Sequence, residues 1–353
     1  MNKKFFYFIT SLYLAVSASA QASTSTATSV AKVPCGVQHI SLIQNASTFF
    51  SLPLSEQPVY TGMVSGVASN SITIASSGST FTTSFSNASS PYFVQFLSGL
   101  EAGRTVLITA NTSTTLTLDT TDHGVGSAVP LTTSSFSVAV GDKFEVFAGD
   151  TLASVFGAGS TANPLVLTGS SSQGSADQVS LWTTSDTVYY FNTAAGYWET
   201  TGSSANANNT IIYPYSVLSV YRRPGANATL LLTGQVTSAN ACEKVALNTN
   251  VYGSSHYATA ITLGNLSMST NWQTGSSAAT ADNLGIWSAS AQTFTFYYKQ
   301  ANGNWYLTSG SSTATQNSVT IPAGGATVIY KRSATAGAQS FLVSAVPYSV
   351  TVE

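Results

Sequence analysis

Asp119, Asp122, Asp142 and Asp150 are the side chains with the clearest capacity for chemistry in this chain. Hard cations take several carboxylate and carbonyl oxygens, so this set in one module would suit Ca²⁺. The same run, Asp119-Thr120-Thr121-Asp122-His123, also reads as a loop whose Asp and Thr side chains cap their own turns. No other cofactor is expected. A second candidate chemistry is stacking on sugar rings. Trp198, Tyr213 and Tyr221, with Trp305 and Tyr330 further on, supply flat apolar faces with polar tips. Alternating strand positions place about half of such residues in a core, so packing is the competing reading.

Catalytic signatures are missing. His39, His123 and His256 have no second histidine at zinc spacing, and neither H-E-x-x-H nor C-x-x-C occurs. The Gly169–Gly174 run lacks the glycine spacing of a nucleophile elbow. No catalytic residue is assigned, and the expected protein is not an enzyme. Cys35 and Cys242 form a candidate disulfide if the chain reaches an oxidising compartment; two unpaired buried thiols are the alternative.

What would position these residues is a duplicated β-pattern. Ala176-Asp177 through Trp182, Trp198, Pro214 and Tyr221-Arg222-Arg223 recurs as Ala281-Asp282 through Trp287, Trp305, Pro322 and Tyr330-Lys331-Arg332. The offset drifts from 105 residues (Trp182 to Trp287) to 109 (Tyr221 to Tyr330), which turn insertions explain. Tyr189-Tyr190-Phe191 aligns with Phe296-Tyr297-Tyr298, and each run leads to a hairpin turn at Gly196 or Gly303. The basic pairs at the repeat ends read as solvated strand ends.

Upstream, short alternating runs such as Ser71–Ile74, Arg104–Thr109 and Thr115–Leu118, separated by Asn, Gly and Asp turns, predict a small bent antiparallel barrel. Asp150 as N-cap, Leu152, Val155 and Phe156 on one face and Gly157 as stop predict one short helix. The fold class is therefore all-β: a small antiparallel barrel-like module, then two tandem antiparallel sandwich-like repeats, with one short helix. Boundaries are a signal peptide over 1–20, a lead-in over 21–36, the barrel-like module over 37–160, and repeats over 161–250 and 251–353.

Export follows from Lys3-Lys4, the apolar run Phe5–Val16 and Ala18-Ser19-Ala20, which together read as a cleaved leader. No transmembrane anchor is expected in the mature chain. Charged residues are 7%, with 11 Lys+Arg against 13 Asp+Glu. Without Lys3 and Lys4 the balance is 9 against 13, too mild to argue for a nucleic-acid partner.

The chain also resembles an uncharacterised family of exported, β-rich bacterial proteins seen mainly in Verrucomicrobia and their relatives. The residues that carry the likeness are Phe50–Leu54, Thr61–Val67, Gly103–Asn111, Val140–Val146, Asp150–Phe156 and the paired aromatic repeats. The resemblance implies export and an all-β build, and no activity or catalytic residues; the two cysteines and sparse charge depart from it. Together these features suggest a cell-surface or extracellular protein, with the periplasm as another destination. It would assemble with itself through strand edges as a surface-layer or fibre subunit. Alternatives are a polysaccharide-binding or adhesive module and, behind it, an outer-membrane barrel.

Overall fold

The computed structural model describes residues 35–344 except 76–79, 82–83, 88, 122–126, 135, 183–185, 215, 224, 238–240, 246–249, 269–271, 311–313 and 333–339. Side chains of 241–245, 250 and 340–344 also lie outside it. The expected leader, most of the lead-in, Asp122 and His123 fall outside the described residues. Among the described residues no helix is long and apolar enough to cross a membrane.

The protein is all-β. It opens with β1 (Cys35–Leu42) and β2 (Ser47–Ser51). Then come β3 (Leu54–Ser55), β4 (Tyr60–Met63), β5 (Gly66–Val67), β6 (Ser71–Thr73), β7 (Ser86–Asn87), β8 (Ser90–Phe96), β9 (Thr105–Asn111), β10 (Thr115–Leu118), β11 (Thr132–Thr133), β12 (Phe136–Ser137) and β13 (Lys143–Ala148). Next are β14 (Asp150–Thr151), helix α1 (Leu152–Phe156), β15 (Gln178–Trp182), β16 (Asp186–Asn192), β17 (Tyr197–Thr200), β18 (Ile211–Ile212), β19 (Val217–Tyr221) and β20 (Ala228–Val236). The remainder is β21 (Ala241–Val245), β22 (Asn250–Ser254), β23 (Ile261–Thr262), β24 (Asn283–Ser288), β25 (Thr293–Lys299), β26 (Trp305–Leu307), β27 (Thr320–Ile321), β28 (Ala326–Tyr330) and β29 (Ser340–Ser344).

The duplication extends further than the sequence pattern. One five-stranded sheet has the order β17-β16-β15-β19-β2, the other β26-β25-β24-β28-β22. The small ladders match too: β14–β18 with β23–β27, and β1–β20 with β21–β29. Repeat 1 thus begins at β1, and the barrel-like module from β4 to β13 is inserted between its second and third matching strands, while β3 pairs with β20. In repeat 2 the same connection is only residues 255–260. The strands expected to open the barrel belong instead to repeat 1, because β1 and β2 find their partners in β20 and β19. Local alternation shows that a segment is a strand; it does not show a partner so far along the chain.

Structural register shifts one alignment. Val179 opposes Tyr189 and Leu284 opposes Tyr297, so Tyr189 corresponds to Tyr297, not to Phe296. The hairpin of repeat 2 is one residue shorter, with Lys299 opposite Trp305 where Phe191 is opposite Trp198. Gly196 (φ 80°) and Gly303 (φ 85°) take the left-handed turn position that L side chains resist.

The inserted module is a curled sheet ordered β4-β13-β8-β9-β10-β6-β5. Its two ends are one stretch of chain: β4 pairs with β13 and, two residues on, β5 pairs with β6. That stretch curls the sheet around a core including Ile72, Phe96, Leu116, Phe136, Phe144 and Val146. The short helix forms where expected, but Thr151 caps it instead of Asp150. Thr151 Oγ1 accepts from the Ser154 amide, and Ser154 Oγ accepts from the Thr151 amide. This reciprocal box satisfies two backbone donors at once.

Repeats 1 and 2 are fastened by aromatic rings on facing sheet surfaces. Phe49 lies 4.3 Å from Trp287 at 42°, and Tyr252 lies 4.6 Å from Trp182 at 44°. Phe49 and Tyr252 occupy the same register position, opposite Ser219 and Val328, so the two pairs exchange when the repeats are exchanged. The clasp has an approximate two-fold character. Phe294 adds a ring 5.4 Å from Phe49, and Ser51 N–H donates to Gly324 O at 2.9 Å beside it. Half-buried Phe49→Ala should cost about 2–3 kcal/mol, below the usual range for a fully buried Phe. Urea titration followed by tryptophan fluorescence measures this; an unchanged midpoint would show that the clasp does not hold the repeats.

Candidate functional site

Two buried ion pairs recur at matching places. Asp177 Oδ2 accepts from Arg222 Nη1 at 2.8 Å and from the Thr168 amide at 2.7 Å, while Oδ1 accepts from the Arg223 amide at 2.7 Å. Asp282 Oδ2 accepts from Lys331 Nζ and from the Gln273 amide, and Oδ1 from the Arg332 amide at 2.8 Å. Each carboxylate ties the strand that ends its sheet to the loop entering it. Arg222 and Lys331 are therefore buried partners, not the solvated strand ends expected. The neighbouring Arg223 and Arg332 lie over Tyr221 and Tyr330, at 5.1 and 4.9 Å from the ring centroids. The recurrence of Asp177 and Asp282 with these cations, in a chain so poor in charge, was the available signal for the pairing.

The stacking candidates separate into two groups. Trp198 and Trp305 are fully enclosed and offer no face to a ligand. Trp198 packs between Phe156 and Phe191, and its indole N–H donates to Gly157 O at 2.7 Å. Trp305 packs on Trp272. Asn208 and Asn317 accept from the backbone N–H of Trp198 and Trp305, each at 2.9 Å. Tyr221 and Tyr330 are half-buried beneath their arginines. Tyr213 meets Phe93 of the inserted module edge-on at 5.6 Å. Burial, with Asp119 adding repulsion, pushes its hydroxyl up to about 12.

The carboxylates proposed for Ca²⁺ occupy separate roles. Asp119 accepts from Thr121 N and Oγ1 within its own turn. Asp142 Oδ2 accepts from the Ala139 amide at 2.8 Å. Asp150 accepts from Ser154 Oγ at 3.0 Å. Among the described residues no three His, Cys, Asp or Glu side chains group as metal ligands. For the disulfide, Cys35 is exposed at the start of β1, and Cys242 lies on β21, the matching strand of repeat 2. The Cys242 side chain is outside the described residues.

The feature with most capacity to engage something else is a cleft where the insertion leaves and rejoins repeat 1. It encloses about 160 Å³ between Leu52, Leu54, Ser55 and Glu56 on the way out, Asp150, Ser154 and Val155 on the way back, and Leu231–Thr233 of β20. Burial pushes the Asp150 carboxyl up; the Ser154 hydroxyl pulls it down, and the Glu56 carboxylate pushes it up again. Glu56 carried no signal in the sequence, since only folding brings it to Asp150. The arrangement is an acidic, partly apolar recess with an open mouth.

Compared with known protein families, with curated proteins and with solved structures, the chain finds no match. The site is therefore read on its geometry.

Two outcomes follow. Removing either buried carboxylate, as Asp177→Asn or Asp282→Asn, should cost about 3–5 kcal/mol because a buried cation loses its partner. Chemical denaturation should give similar losses for both; a loss confined to one repeat would contradict their equivalence. Asp150 has the opposite sign. An acid whose folded pKa lies above its ordinary value of 3.8 contributes stability below that value and loses it as pH rises through the folded pKa. Asp150→Asn is expected to raise the urea midpoint at pH 7 and flatten the acidic side of the stability profile; a lower midpoint at pH 7 would refute this.

Proposed function

We propose that this protein is an exported, non-catalytic structural component of the cell surface that assembles with itself as a surface-layer or extracellular fibre subunit. One observation carries the reading: the edge of β1 on the side away from β20. This strand spans eight residues and, among the described residues, pairs on one side only, with β20. Its sequence, CGVQHISL, has no Lys, Arg, Asp, Glu or Pro. Those are the residues that soluble β-proteins use to blunt such edges. Val37 is 63% exposed on it. An uncharged edge of this length is a template for a strand from a neighbouring molecule. Low net charge supports the reading, because little long-range repulsion keeps copies apart. The leader-like N-terminus and the resemblance to exported β-rich bacterial proteins support its placement outside the cytoplasm.

The test is sedimentation velocity and negative-stain microscopy of the mature protein across concentration and salt. Concentration-dependent polymers are expected, and Val37→Lys should raise the concentration needed for assembly by roughly tenfold. Wild-type protein that stays monomeric throughout would overturn the proposal.

A further inference from the structure

The inserted module carries its own exposed apolar cluster, at the end of its strands away from the repeats. There β4 ends at Met63, β8 at Phe96 and β13 starts at Lys143, and hydrogen bonds link the turns. Leu97 N–H donates to Lys143 O at 2.8 Å, Gly141 N–H to Val64 O at 2.8 Å, and Lys143 N–H to Ser98 Oγ at 2.7 Å. Four large apolar side chains stand out from these turns: Leu100 (83% exposed), Val140 (67%), Met63 (55%) and Leu97. Half of the eight large exposed hydrophobic side chains among the described residues thus gather at one tip, which marks an interaction surface. Lys143 is exposed beside them, while Glu101, Arg104 and Asp142 are buried. Glu101 and Arg104 satisfy each other at 3.0 Å. The tip is apolar, with Lys143 as the exposed charged side chain beside it.

At the other end of the same module lies the recess described above, with the complementary character. Glu56 and Asp150 make it negative, and Leu54, Val155 and Leu231, the last 55% exposed, make part of its wall apolar. Its 160 Å³ compares with the roughly 150 Å³ cavity that accepts a benzene ring, so a leucine side chain or a lysine head fits.

We infer that the tip of one molecule docks in the recess of the next, Lys143 meeting Glu56 and Asp150 while Leu100 covers Leu231, so that copies join head to tail. This inference rests on the self-assembly reading and adds a second contact to the β1 edge. Tip and recess are different surfaces, so the contact is heterologous. Such a contact makes a ring where the rotation closes and an open filament where it does not. An incoming ammonium group also relieves the repulsion between the Glu56 and Asp150 carboxylates. Being near the surface, the contact weakens with salt.

The experiment uses the full mature chain. Leu100→Asp and Lys143→Glu change exposed side chains, and circular dichroism checks that each variant folds. Sedimentation velocity should show the assembly concentration rising roughly tenfold or more in both, as for loss of a central anchor. Adding Glu56→Lys to Lys143→Glu should restore assembly, since the charge pair is re-formed with its signs exchanged. If wild type assembles and both single variants do so at the same concentration, the docking is wrong and the self-assembly reading survives on the β1 edge. If wild type does not assemble at all, both fail together.

Discussion

Each repeat is closed by a carboxylate that collects three donors in a dry place. Asp177 and Asp282 each accept one backbone amide from nine residues earlier, and a second amide and a side-chain cation from 45 to 50 residues later. A buried charge left alone costs several kcal/mol, so the carboxylate is tolerable only when the strand end and the entering loop arrive together. That condition fixes where β19 and β28 stop and how the loops before β15 and β24 approach them. The sheet hairpins, enclosed tryptophans and outward arginines all take their positions from that closure. Arg in one repeat and Lys in the other serve the same geometry, since a single donor to Oδ2 is what both supply.

With both repeats closed alike, their facing surfaces are alike, and the aromatic clasp is a consequence. Phe49 and Tyr252 hold one register position, and each reaches across to the tryptophan of the other repeat. The chain behaves like a dimer of itself whose halves are joined covalently. Into one half, at a connection that repeat 2 makes with a short loop, is set an entire barrel-like module. Exit and return strands of an insertion must lie side by side, and that brings Glu56 to Asp150 and creates the recess. The tip lies at the far end of the module for the same reason: strand ends not anchored to the repeat body face outward.

Local patterns in the sequence were legible. Alternating short runs showed strands, glycine turns showed hairpins, and the recurring aromatic series showed a duplication. The Leu152–Phe156 helix was legible from its apolar face and Gly157, although its cap was displaced by one residue because Thr151 and Ser154 can satisfy each other reciprocally. What could not be read was pairing over distance. β1 and β2 looked like the start of the barrel because they precede it, and the aromatic runs were aligned one residue off because the shorter hairpin conceals the register. Trp198 and Trp305 looked available for sugars because periodicity does not say which face of a strand the core will take.

The sequence alone determined that the chain is all-β, internally duplicated and poor in charge, because these properties reside in residue types and local spacing. Tertiary structure alone decided that Arg222 and Lys331 are buried, that Phe49 belongs with Trp287, and that Glu56 and Asp150 share one recess. Those relations depend on strand partners chosen across long stretches of chain. The selection rests on burying whole faces and satisfying charges together, and no short window of residues contains that sum.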